Sequence, residues 1–167
     1  NADRGAAIVA ELGADNVSFH NVNVSDEESV STAIAEVMAK FGAIHICNNY
    51  AGIGNAVKTL GKNGPFPLDG ANARGVIINT ASVAAYEGQV GQLAYSASKG
   101  GVVAMTLPMA RDLASYGIRV NTIVPGLIHT PLFETLPEEA YKSLENSVVN
   151  PRRLGRPAEI AHLSVMI

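Results

Sequence analysis

The 167 residues are 47% hydrophobic and only 16% charged, a composition that supplies one domain with a core of its own. A net charge of −3 gives no basic field to attract nucleic acid, and no apolar run reaches membrane-spanning length. The single cysteine, Cys47, excludes an intramolecular disulfide framework and suits a reducing compartment such as the cytoplasm.

The opening Asn1 to Gly5 is polar and does not read as a signal peptide. Ala6 to Leu12 reads as the end of a helix stopped by Gly13. Val17 to Val24 alternates and is rich in β-formers, which predicts a strand. Ser25 is a candidate N-cap, and Asp26, Glu27 and Glu28 suit the positive end of a helix. Val30, Ile34, Val37, Met38 and Phe41 then recur at helical spacing. Asp26 to Phe41 is therefore expected to be an amphipathic helix ended by Gly42. Ala43 to Asn49 is a short apolar run read as a buried strand, on which Cys47 is a small core residue. Ala56 to Ala73 has several Gly and Pro and no clear period.

Val76 to Thr80 reads as another strand and Ala94 to Ser115 as a long helix, with Pro108 bending or weakening its middle. Small residues at Ala94, Ala97, Gly101 and Ala104 would let another helix approach closely. Ile118 to Val124 is a strand closed by Pro125-Gly126. Pro137 to Ser147 and Pro157 to Ile167 are expected helices, with proline well placed near the start of each. Alternating strands and helices with apolar strands predict a doubly wound α/β fold, a parallel sheet covered on both faces and forming a single domain over 1–167.

The chemistry concentrates between Thr80 and Gly101. Tyr95 follows Ser82 by thirteen positions and Lys99 follows Tyr95 by four. Residues four apart share a helical face, and Ser82 at the end of an apolar strand can face that helix. A hydroxyl, a phenol and an ammonium held together suit proton transfer to or from an alcohol oxygen as hydride moves on or off its carbon. A nearby cation favours the phenolate form of tyrosine. His20, His45, His129 and His162 show no metal-ligand spacing, so no metal is expected, and each reads as a structural or surface histidine.

These motifs resemble the short-chain dehydrogenase/reductase family, which has a Rossmann fold and uses NAD or NADP. Ser82, Tyr95 and Lys99 match its catalytic positions. Asn49-Tyr50-Ala51-Gly52 is similar to its Asn-Asn-Ala-Gly motif, with Tyr in place of the second Asn. Pro125-Gly126 matches the loop after its sixth strand, and Arg153 to Pro157 with Glu159 matches the start of its late helix. The run from Gly75 to Val120 further resembles the subgroup of type 2 3-hydroxyacyl-CoA dehydrogenases, also called 17β-hydroxysteroid dehydrogenase type 10.

The resemblance implies an NAD-dependent oxidoreductase, NADP not being excluded, acting on a 3-hydroxyacyl-CoA or another secondary alcohol or ketone. It implies cofactor contacts from Val24, Asn49, Ala51, Gly52, Tyr95, Lys99, Pro125, Gly126, Leu127 and Thr130. It places substrate contacts at Ser82, Gln89, Leu132 and Phe133 and makes 127–147 the substrate loop, with Leu136 able to cover an apolar substrate. A homodimer or homotetramer follows, packed through the small stripe of the long helix. A 3-oxoacyl-carrier-protein reductase using NADPH and a non-catalytic oligomeric scaffold are the alternatives.

Departures from the family pattern are informative. The Gly-x-x-x-Gly-x-Gly fingerprint is absent, with its strand and helix, and so is a final strand. Between Pro67-Leu68-Asp69 and Arg74 only a few residues stand where the family has a long helix carrying a catalytic Asn. Asn23 stands where many relatives have Asp beside the adenine. The expectation is that this sequence joins segments of a longer protein, with a break near 69–72.

Overall fold

The computed structural model describes residues 2–49, 74–131 and 133–167. They hold the helices α1 (Ala2–Leu12) and α2 (Glu27–Phe41), the strands β1 (Ile46–Asn49) and β2 (Gly75–Thr80), a short α3 (Ala84–Glu87), and the long α4 (Leu93–Leu113). Strand β3 (Ile118–Ile123), α5 (Glu138–Ser147) and α6 (Pro157–Met166) follow, and 3-10 turns occupy Ala114–Tyr116 and Phe133–Thr135. The expected break near 69–72 and the periodless 56–73 stretch lie outside the described residues. The strands pair in the order β1-β2-β3. Backbone hydrogen bonds advance together along β2 and β3, from Arg74–Gly117 to Ala81–Ile123 and Val83–Pro125, so the two run parallel. β2 is buried at four successive positions, Val76 to Asn79, as a strand covered on both faces must be.

The chain divides into two compact units. The first holds α1, α2, β1 and the leading residues of β2 and β3. Glycines at positive φ, Gly13 (87°) and Gly42 (78°), close its two helices where expected, because only glycine takes that conformation without strain. Val30, Ile34, Val37 and Met38 form a half-buried stripe on α2. Two expectations fail here. The N-cap is Asp26, whose carboxylate accepts the Glu28 N–H at 3.1 Å, and not Ser25, whose own N–H donates to Asn23 Oδ1. Both types cap well, and the turn made by Asn23 decides between them. Val17 to Val24 forms no strand. Its Val17 carbonyl accepts from Lys40 Nζ at 2.9 Å, as does the Ala14 carbonyl, and Val17 and Phe19 line an apolar groove of about 610 Å³ beside Ala6, Val9 and Ala10. A strand needs a neighbour for its backbone groups, and β propensity does not supply one.

The second unit holds the rest of β2 and β3 with α3 to α6. Its core includes Ile78, Ala81, Ala84, Val120, Ile123 and Leu154. α4 runs through Pro108 without a break. Its inner face presents Ser96, Lys99, Val103, Thr106, Ala110 and Leu113, while Ala94, Ala97, Gly101, Ala104 and Pro108 form an exposed face. Thr106 Oγ1 and Thr122 Oγ1, 2.5 Å apart, tie α4 to β3. A further expectation fails on β1 in the first unit. The strand is not buried, with Ile46 52% exposed and Cys47 half-buried, because β1 stands at one end of the described strand order and lacks a second neighbour there. The partial burial of Cys47 still pushes its thiol up from its ordinary value.

Candidate active site

The catalytic expectation falls within the second unit, at the carboxyl ends of β2 and β3. Beyond the last residue of each strand the two segments stay side by side, with Ala81 N–H on the Ile123 carbonyl at 2.9 Å and Val83 N–H on the Pro125 carbonyl at 3.0 Å. Ser82 lies between these two bonds, next to the Pro125-Gly126 turn. Its Oγ accepts the Ala84 N–H at 3.2 Å, which starts α3, a helix too short to register as a period in the sequence. The crevice outside the carboxyl ends of a parallel sheet is where such folds bind ligands.

α4 brings in the other two groups. Lys99 Nζ donates to the Thr80 carbonyl at 3.0 Å and lies 5.8 Å from the centre of the Tyr95 ring, within cation–π range. The lysine thus ties one turn of α4 to the end of β2, two residues before Ser82. Tyr95 remains 47% exposed, open to a ligand. An ammonium has three donors, and the Thr80 carbonyl takes one. Thr80 Oγ1 is buried with no hydrogen-bond partner among the described residues. Two Lys99 donors without a partner among the described residues and an orphaned buried hydroxyl fit a hydroxyl-bearing cofactor such as a nicotinamide nucleoside.

Gln89 is exposed, and its backbone N–H donates to Gln92 Oε1 at 3.0 Å. Leu127 and Thr130 lie half-buried past the turn and Phe133 opens the second 3-10 turn. Leu127 is fixed by a bond from Gly155 N–H to its carbonyl at 2.8 Å, beside a parallel bridge between Ile128 and Gly155. Val24, half-exposed, and Asn49, the last residue of β1, belong to the first unit. Ala51, Gly52 and Leu132 lie outside the described residues.

Downstream, Arg153 meets Glu159 in a two-pronged pair at 3.0 and 2.6 Å. The Arg153 guanidinium, then the Arg156 N–H at 2.6 Å, hold the Glu159 carboxyl down at about 2. Arg156 has no side-chain acceptor, so only this half of a capping box forms, and the Glu159 N–H goes to the Arg156 carbonyl at 2.9 Å. Sequence reasoning missed His129, which stands among Gly155, Glu134 and Tyr141. Its partners are five to twenty-six positions away and leave no periodic signal.

A family model described as short chain dehydrogenase matches residues 65–140. The chain is 46% identical over 198 residues to 3-hydroxyacyl-CoA dehydrogenase type-2 of Rattus norvegicus, covering 98% of this chain and 74% of that one. It is 33% identical over 166 residues to 3-oxoacyl-(acyl-carrier-protein) reductase FabG of Thermotoga maritima, covering 87% and 67%. The crystal structure of 3-hydroxyacyl-CoA dehydrogenase type-2 from Mycobacterium avium superposes with a TM-score of 0.88 at 32% identity, covering 99% of this chain and 76% of that one. The rat alignment is longer than the chain itself, so that relative carries residues between matched positions that this chain lacks.

Proposed function

The chain belongs to the short-chain dehydrogenase family, and from that premise we propose that this oxidoreductase interconverts a 3-hydroxyacyl-CoA and its 3-oxoacyl-CoA with NAD. The nicotinamide cofactor, when bound, accepts hydride from the alcohol carbon or returns it to the ketone. The observation that carries the reading is the Lys99–Thr80 bond, which sets the Tyr95–Lys99 turn beside Ser82 at the strand end. Tyr95 takes the alcohol proton on oxidation and gives it back on reduction. Ser82 orients the substrate oxygen. The Lys99 donors without a partner among the described residues would hold the ribose hydroxyls.

Pro125, Gly126, Leu127 and Thr130 hold the nicotinamide end. Val24, Asn49, Ala51 and Gly52 serve the adenosine end. Gln89, Leu132 and Phe133 meet the acyl chain. On this reading residues 1–167 form one Rossmann-type domain, since the strands pair in one sheet. A second copy covers the exposed small face of α4, giving a dimer or tetramer, and fatty-acid chemistry in the cytoplasm is the setting.

The substrate comes from the rat and mycobacterial relatives' names. The Thermotoga maritima relative favours a second reading, reduction of a 3-oxoacyl group on acyl carrier protein with NADPH. Steady-state assays separate the two. Turnover of 3-hydroxyacyl-CoA with NAD supports the first, and a preference for NADPH and carrier-bound substrate supports the second. No turnover with either pair sinks both.

A further inference from the structure

We propose that His129 is a positioning residue that clasps the segment between β3 and α5 and so sets Phe133 toward substrate. This takes the segment as the substrate cover, as the functional reading does. His129 is held at its backbone and at both ring nitrogens. Its N–H donates to the Gly155 carbonyl at 2.8 Å, which fixes the residue against the chain leading into α6. Its Nε2 lies 3.6 Å from Glu134 Oε1. Its Nδ1 lies 3.3 Å from the Tyr141 hydroxyl, and the two rings meet edge-on with centroids 6.0 Å apart at 80°.

Glu134 neighbours Phe133 in the 3-10 turn, and Tyr141 lies in the opening turns of α5. One imidazole therefore joins the middle and the far end of the 130–137 segment to a fixed point. Among the described residues of this segment the backbone bonds are short-range, Phe133 N–H to Thr130 O at 2.8 Å and Leu136 N–H to Phe133 O at 3.2 Å. These shape the turn and do not orient it. A ring nitrogen on each side of the imidazole thus meets a different partner, Nδ1 the Tyr141 hydroxyl and Nε2 the Glu134 carboxylate. Glutamine can keep one donor and one acceptor at this position, and alanine neither. A surface histidine with incidental neighbours would leave Phe133 indifferent to its removal.

The test uses the full chain, with 3-hydroxyacyl-CoA and saturating NAD for kinetics and with chymotrypsin cleavage after Phe133 for the unliganded protein. Loss of the Tyr141 hydrogen bond together with the Glu134 contact predicts that His129→Ala raises KM about five- to tenfold, with kcat within about twofold. Cleavage at Phe133 accelerates by a similar factor, and Tm holds. His129→Gln recovers most of both effects, and Tyr141→Phe shows part of each. Unchanged KM and cleavage in His129→Ala overturns the clasp. So does a joint fall of kcat and Tm, which marks a general structural role. If the unaltered chain turns over no 3-hydroxyacyl-CoA, the functional reading fails instead, and the cleavage rates alone decide the clasp.

Discussion

A lysine bound to a strand carbonyl is an unusual use of a mobile side chain, and at Lys99 it has a chemical consequence. The bond to Thr80 at 3.0 Å stops the ammonium from following solvent and keeps it beside the Tyr95 ring. Tyr95→Phe removes the oxygen proposed to carry the proton while keeping the ring. Turnover should fall by about 10²–10⁴-fold, with an unchanged circular dichroism spectrum, and near-normal turnover would remove Tyr95 from the chemistry. Glu159 makes a separate prediction about acid. Its folded carboxyl, held at about 2 by Arg153 and the Arg156 N–H, lies below its ordinary value of 4.5. A depressed carboxyl contributes stability that is complete above 4.5 and is lost as pH falls toward 2. Denaturation midpoints measured across that window should decline more steeply for the unaltered chain than for Glu159→Gln, and parallel profiles would show that the pair is inert.

At the scale of elements, the junction between α3 and α4 has little room. A Cβ on Gly88 would stand 2.0 Å from Ser96 Oγ and 3.2 Å from the Ala84 carbonyl. Ser96 Oγ is itself buried without a hydrogen-bond partner among the described residues. Removing an unsatisfied hydroxyl costs little or helps, so Ser96→Ala should leave stability unchanged or raise it. Gly88→Ala should cost about 1–3 kcal/mol by overpacking, and the double variant should recover part of that. Urea titration of the three proteins checks it, and full additivity would mean that the clash lies with the Ser96 Cβ or the Ala84 backbone, which the Ser96→Ala change leaves in place. The same junction carries Gln89 and the first turn of α4, so its tightness bears on where Tyr95 sits.

At the scale of the whole molecule, α4 presents an exposed face of Ala94, Ala97, Gly101 and Ala104, with Leu93 86% and Leu107 56% exposed beside it. Among the described residues nothing lies within 4 Å of a Cβ placed on Gly101. Arginine there is therefore compatible with the fold and even improves helix propensity. If a second copy covers this face, Gly101→Arg should move the sedimenting mass from a multiple of 17.4 kDa to 17.4 kDa itself. A monomeric unaltered chain, or a mutant that still associates, would place the interface elsewhere. The relatives' names bear on substrate alone, so subunit number is left to this measurement.

Much was legible in the sequence because its signals are local. Helical spacing located α2 and α4, two glycines located helix ends, and the apolar run Val76-Ile77-Ile78 located β2. The Ser82, Tyr95 and Lys99 spacing pointed to one family because a strand end and one helical turn suffice to bring those groups together. Only the tertiary structure decided what depends on partners distant in the chain. It left Val17 to Val24 outside any strand, moved the cap from Ser25 to Asp26, and joined Lys99 to Thr80. It also turned His129 from an unremarkable histidine into the meeting point of three segments. Propensity and period describe a residue's own conformation, whereas hydrogen-bond satisfaction and packing are settled by whichever atoms the rest of the chain delivers.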